Sequence, residues 1–214
     1  MGLLFNQILT KKRNRTIQQN IHHMTNHFLD IGANSGNTFD LFLNQHEEYY
    51  GWNVWCFEPS PKHMNSLLDK ARQVSGRFNV VVCPFGLSGT TTVVPFYEMV
   101  NNTVSDSFIK TGLYATLDPA PKYNVIGSCV SIVEFMDIYT FDGDSVVLKV
   151  DCEGSEYDLY ENLLTRPDLL SRIKLIYNEW HPAWNEMDVG RRIRAEKIIN
   201  RFNAYPIKFT DWAF

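Results

Sequence analysis

No run of apolar residues in this 214-residue chain approaches the roughly 18 that a membrane-spanning helix needs. A membrane span is therefore not expected, and the short apolar stretch 3–9 carries its positive charges after it, unlike a secretion signal. Basic residues are not in surplus, because 20 lysines and arginines face 24 acidic residues and leave a net charge of −4. With no global basic field to recruit DNA or RNA nonspecifically, a nucleic-acid partner is not expected; the one basic cluster, Lys11, Lys12, Arg13 and Arg15, is local. Cysteine is scarce. Its four copies, Cys56, Cys83, Cys129 and Cys152, stand far apart with no CxxC pair, against either a zinc site or a disulfide framework. Buried free thiols are expected, and with them a reducing, cytoplasmic compartment. No repeat, low-complexity tract or linker divides the sequence, so one domain over residues 1–214 is expected.

What the chain does contain is a globular composition, 44% hydrophobic and 14% aromatic. Residues 1–26 read as a helical segment. Strand-like and helix-like segments then alternate: a strand at 27–31, a helix at 37–47, a strand at 52–58, a helix at 61–74, a strand at 78–83 and a β-rich stretch at 90–97. This order demands a parallel sheet with helices on both faces, an α/β, Rossmann-like doubly wound fold. Residues 98–128, with prolines at 119 and 121, break the pattern and read as a lid or acceptor loop. A buried strand at 145–151, an amphipathic helix at 155–164, a strand at 172–179, a helix at 190–203 and a last strand at 207–214 complete the reading.

In an open parallel sheet, ligands bind beyond the carboxyl ends of the strands, where strand order reverses. Four strands here end in polar or acidic residues, Asp30, Glu58, Asp151 and the pair Asn178-Glu179, so all four ends converge on one rim. Any one of them could instead cap a following helix. Between the first two lies the turn Gly32-Ala33-Asn34-Ser35-Gly36, where glycine lets the backbone approach a ligand closely. Its glycines are spaced GxxxG rather than GxGxxG, which disfavours a pyrophosphate and hence NAD or FAD. A cofactor with adenosine but without phosphate fits better, its ribose hydroxyls held by Glu58. S-Adenosylmethionine is that cofactor.

Three motifs, Phe28-Leu29-Asp30-Ile31-Gly32-Ala33-Asn34-Ser35-Gly36, Phe57-Glu58-Pro59 and Leu148-Lys149-Val150-Asp151-Cys152-Glu153-Gly154-Ser155-Glu156, resemble the FkbM-type S-adenosylmethionine-dependent methyltransferases. The resemblance runs over residues 27–181 and implies a class I methyltransferase fold. It also implies that Asp30, Gly32 and Asn34, with Ser35 and Gly36 of the same turn, shape the cofactor pocket. Members of the family are typically O-methyltransferases of sugars and natural products, so a sugar hydroxyl of a glycan or glycoside, for instance of a deoxysugar such as rhamnose, is the expected acceptor. By the same resemblance, the antiparallel strand pair that usually closes such a sheet is expected to be incomplete.

Methyl transfer is an in-line displacement, and a sugar hydroxyl needs its proton taken or polarised. Two schemes stay open. Asp151 or His181 acts as general base, with Glu153 beside them; or Mg2+ or Mn2+, held by Asp151, Asn178 and Glu179 as acidic strand ends hold magnesium in macrolide sugar O-methyltransferases, acidifies the hydroxyl. Lys149 reads as a partner for a nearby carboxylate, and Trp180 and Trp184 as core aromatics or as stacking platforms. The rival readings are methylation of another small molecule or a lipid, and a cofactor-binding module without catalysis.

Overall fold

Continuous apolar runs such as Val146-Val147-Leu148 cannot serve a sheet with one wet face, and the strands they form are buried on both sides. The computed structural model describes residues 24–97, 123–181 and 189–212. Its main sheet contains β1 (Asn26–Ile31), β2 (Asn53–Phe57), β3 (Asn79–Cys83), β7 (Ser145–Val150), β8 (Ile173–Asn178) and β9 (Lys208–Asp211). The order is β3-β2-β1-β7-β8-β9, and every neighbouring pair is parallel. The chain steps outward from β1 to β3, then returns to place β7 on the other side of β1. Strand order therefore reverses between β1 and β7, where such sheets bind ligands.

Register fixes the rim. Ile31 pairs with Phe57 on one side and Val150 on the other, Phe57 pairs with Cys83, and Val150 leads through Asn178 to Asp211. The residues that follow, among them Gly32, Glu58, Asp151, Glu179 and Trp212, leave the sheet at one level along one edge. That parallel alignment is what the sequence reading required of its four strand ends.

Successive residues of a strand point to opposite faces, and two cores result. Leu29, Ile31, Leu148 and Val150 pack with α3 (Ile132–Tyr139), α4 (Glu156–Leu163) and α6 (Val189–Phe202). Phe28, Val54, Cys56 and Val147 pack with α1 (Asn37–Leu41) and α2 (Pro61–Val74). In α2, Pro61 occupies the first turn and His63, Leu67, Ala71 and Val74 form the buried stripe. A short helix α5 (Pro167–Leu170) leads into β8. The four cysteines are free, and three are buried.

Several segments differ from the expectation. The helix expected at 37–47 stops at Leu41, and two 3-10 turns, Leu43–Gln45 and Glu47–Tyr49, follow. Phe42 leaves helical geometry (φ −132°, ψ −69°) to pack against His46, Tyr49, Tyr177 and Trp212, ring centroids 4.0 to 5.9 Å away. Aromatic burial there outweighs continued helix. The stretch 90–97 forms β5 (Thr92–Tyr97), but in a separate sheet of order β4-β6-β5 with β4 (Gly86–Ser88) and β6 (Tyr123–Ser131). Strand β6 thus claims residues 123–128 of the expected irregular stretch, and α3 follows it where no helix was read. The last strand spans only Lys208–Asp211 and pairs parallel with β8, so the main sheet has no antiparallel strand among the described residues. Residues 1–23, 98–122 and Trp184 lie outside the described residues.

Candidate active site

Gly32 opens the turn at the end of β1 with φ +83°. A Cβ there would lie 1.8 Å from the Asp151 carbonyl oxygen, so the glycine makes room for the backbone of β7 as well as for any ligand. Gly32 N and Ala33 N both donate to the Phe57 carbonyl at 3.1 Å. Asn34 takes the left-handed conformation (φ +49°), its side chain accepts from Ser35 N at 2.7 Å, and Gly36 (φ +89°) starts α1. Three positive-φ residues within five positions turn the chain sharply at the switch point.

Glu58 ties this turn to β2. Its Oε2 accepts from Asn34 N and its Oε1 from Ser60 N, both at 2.8 Å, and the residue is 5% exposed. Asp30, expected to shape the cofactor pocket, is fully buried at the end of β1. Lys149 Nζ sits 3.3 Å from Asp30 Oδ1 and 3.2 Å from Asp151 Oδ2, donates to the Gly32 carbonyl at 2.8 Å, and lies over the Trp212 ring. Burial favours a neutral amine, but the charges of Asp151 and Asp30 prevail and hold the ammonium form well above its ordinary range. The reading of Lys149 as a carboxylate partner is thereby met.

Beyond Lys149 the rim is acidic. His181 Nε2 stands 3.6 Å from Asp151 Oδ1, 3.6 Å from Glu153 Oε2 and 3.7 Å from Glu179 Oε1. On the other side of the ring, Nδ1 faces Glu156 Oε1 at 3.5 Å. Glu156, fully buried at the start of α4, also accepts from His181 N and Gly154 N, both at 2.8 Å. Glu153 (φ +53°) and Gly154 (φ +105°) form a left-handed pair, so the acid is presented by backbone in a conformation most residues avoid. Burial pulls the His181 imidazole down, but the hydrogen bond and charge of Glu156, with the charges of Glu153 and Asp151, push it up to about 9. Burial pushes Glu153 up to about 7 against the opposing charge of His181, and burial with the Asp151 charge raises Glu179.

The structure therefore brings Asp151, Glu153, Glu179 and His181 together, as the sequence suggested, and leaves Asn178 out. The Asn178 amide is buried on the opposite side, where, turned so that its nitrogen donates to Tyr160 Oη at 2.6 Å, its oxygen accepts from Trp180 N and Nε1. Trp180 itself packs against Tyr157, Tyr160 and Phe209, which makes it a core aromatic. Asp151 and Glu179 keep 26% and 44% of their side chains exposed, whereas His181 keeps 2%. The groups open to an incoming molecule are carboxylates. Sequence reasoning placed Glu156 at a helix start but missed that it joins two strand-end loops, because no spacing rule links residue 156 to residue 181.

Residues 30–202 match the family model described as the methyltransferase FkbM domain. Among solved structures, the crystal structure of methyltransferase FkbM from Methylobacillus flagellatus KT is similar, with a TM-score of 0.50 and 16% sequence identity. The likeness covers 90% of this chain and 42% of that one, and concerns the fold alone. No curated protein matches.

Proposed function

Because the chain belongs to the FkbM methyltransferase family, we propose that it is an S-adenosylmethionine-dependent O-methyltransferase acting on a sugar hydroxyl of a glycan or glycoside. The observation that carries this reading is the acidic rim of Asp151 and Glu179 beside the Gly32–Gly36 turn, at the point where strand order reverses. The residues present fit a cationic sulfonium nucleoside: the turn supplies close backbone, Glu58 sets a carboxylate beside it at the end of β2, and the rim carries negative charge. When bound, the cofactor supplies an electrophilic methyl group.

The chain's own residues supply position and a proton acceptor. Asp151, held by Lys149 Nζ at 3.2 Å and partly open, accepts the proton of the sugar hydroxyl. His181, almost enclosed by carboxylates, orients Asp151 and Glu153 and does not reach an acceptor itself. The free cysteines support a reducing, cytoplasmic setting, and the chain acts as one domain with a small-molecule acceptor.

Calorimetry with S-adenosylmethionine and its demethylated product tests the cofactor, and labelled methyl transfer to a panel of glycosides tests the acceptor. Asp151→Asn is expected to lower turnover by about 10²- to 10⁴-fold while nucleoside affinity changes by less than about threefold. Absence of nucleoside binding to the unaltered chain would sink the reading.

A further inference from the structure

We infer that Asp151, Glu153 and His181, flanked by Glu179, form a binding site for one divalent transition-metal cation. The donor atoms of the first three lie within 4.8 Å of one another. His181 Nε2 approaches three carboxylate oxygens at 3.6, 3.6 and 3.7 Å, each too long for a direct hydrogen bond. Ligand atoms bound about 2.0 to 2.2 Å from one ion stand roughly 3.3 to 3.6 Å apart in a tetrahedral shell. The three histidine-to-carboxylate separations lie at the upper edge of that spacing, so a small inward shift of the carboxylates closes the shell.

A second observation points the same way. A histidine that binds a metal through one nitrogen almost always turns the other toward a carboxylate or carbonyl, which fixes its tautomer. Glu156 provides that carboxylate: it is fully buried, it faces His181 Nδ1 at 3.5 Å, and it is pinned by Gly154 N and His181 N. The ring, 2% exposed, is thus directed with Nε2 into the acidic group. The set differs from the all-oxygen one expected at Asp151, Asn178 and Glu179, because Asn178 turns inward. An imidazole among carboxylates suits Mn2+ or Zn2+ better than Mg2+. Such an ion would face the same space as the acceptor and act there as a Lewis acid, lowering the pKa of the hydroxyl so that Asp151, engaged as a ligand, would no longer be needed as the base. The inference requires no bound nucleoside, so it stands apart from the cofactor reading.

The full chain, stripped with a chelator, is titrated calorimetrically with MnCl2 and separately with ZnCl2, without nucleoside. One ion per chain is expected for at least one metal. His181→Gln and Asp151→Asn should each weaken it about 10-fold or more, and Glu156→Gln about 10-fold although it is not a ligand. Glu161→Gln, which alters a carboxylate paired with Arg194 outside this group, should leave the affinity unchanged. Circular dichroism checks each variant, and Asp151→Asn carries the test should His181→Gln fail to fold. No binding of either ion, or equal affinity in all variants, overturns the site. S-Adenosylmethionine titrated into the same preparations reports on the cofactor reading independently.

Discussion

Lys149 is the residue whose loss would spread furthest, because its ammonium group joins Asp30 below the turn, Asp151 on the rim and the Gly32 carbonyl. Removing one partner of a buried ion pair leaves the other charge uncompensated and typically costs about 3 to 5 kcal/mol. Lys149→Met is expected to lose stability on that scale in urea denaturation, and the double variant Lys149→Met with Asp30→Leu to recover most of it. A single variant as stable as the parent would show that Asp30 tolerates isolation. At this scale the sequence was informative about identity and less so about direction. Asp30 and Lys149 stood out as charges inside apolar runs, and their pairing across β1 and β7 follows once those strands are neighbours. That Asp30 faces inward and Asn178 turns toward Tyr160 depends on cross-strand packing, which no local pattern encodes.

Among elements, the central strand β7 was legible because burial on both faces leaves a nearly unbroken apolar run, and β1 because Phe28, Leu29 and Ile31 mark its buried part. Helix α1 was overextended, since the helical periodicity of 37–47 gave no hint that Phe42 finds better company across the sheet. Helix α3 was overlooked although its start is written in the chain: Ser131 precedes it and Glu134 stands three residues later, a capping-box pattern. Ser131 Oγ accepts from Glu134 N at 3.4 Å and donates to Asn162 Oδ1 at 2.9 Å. Ser131→Ala is expected to cost about 0.5 to 2 kcal/mol in chemical denaturation. Strand β6 escaped notice because Asn124, Gly127 and Ser128 dilute its alternation, and its pairing with β5 supplies what its own sequence does not.

For the whole molecule, a net charge of −4 combines with an acidic rim, so the field around the site repels anions and attracts cations. A neutral glycoside should therefore exceed its uronic-acid counterpart in kcat/KM by about 10-fold or more at low salt, and the gap should narrow as salt is added. Equal rates for the two at low ionic strength would refute that account. Fold class was readable at this scale from βαβ alternation alone, since few topologies satisfy it. The second sheet was not, because β4 is only three residues long and β6 pairs with both β4 and β5 across a stretch, 98–122, that reads as irregular.

Gly32 and the Asp151 carbonyl stand so close that no methyl group fits between them. The turn proposed to hold the cofactor and the segment bearing Asp151 are consequently welded along one seam, and neither can be reshaped alone. Anyone redesigning this scaffold would do well to leave the seam intact and diversify the periphery, where alterations need not propagate into the Gly32–Gly36 turn.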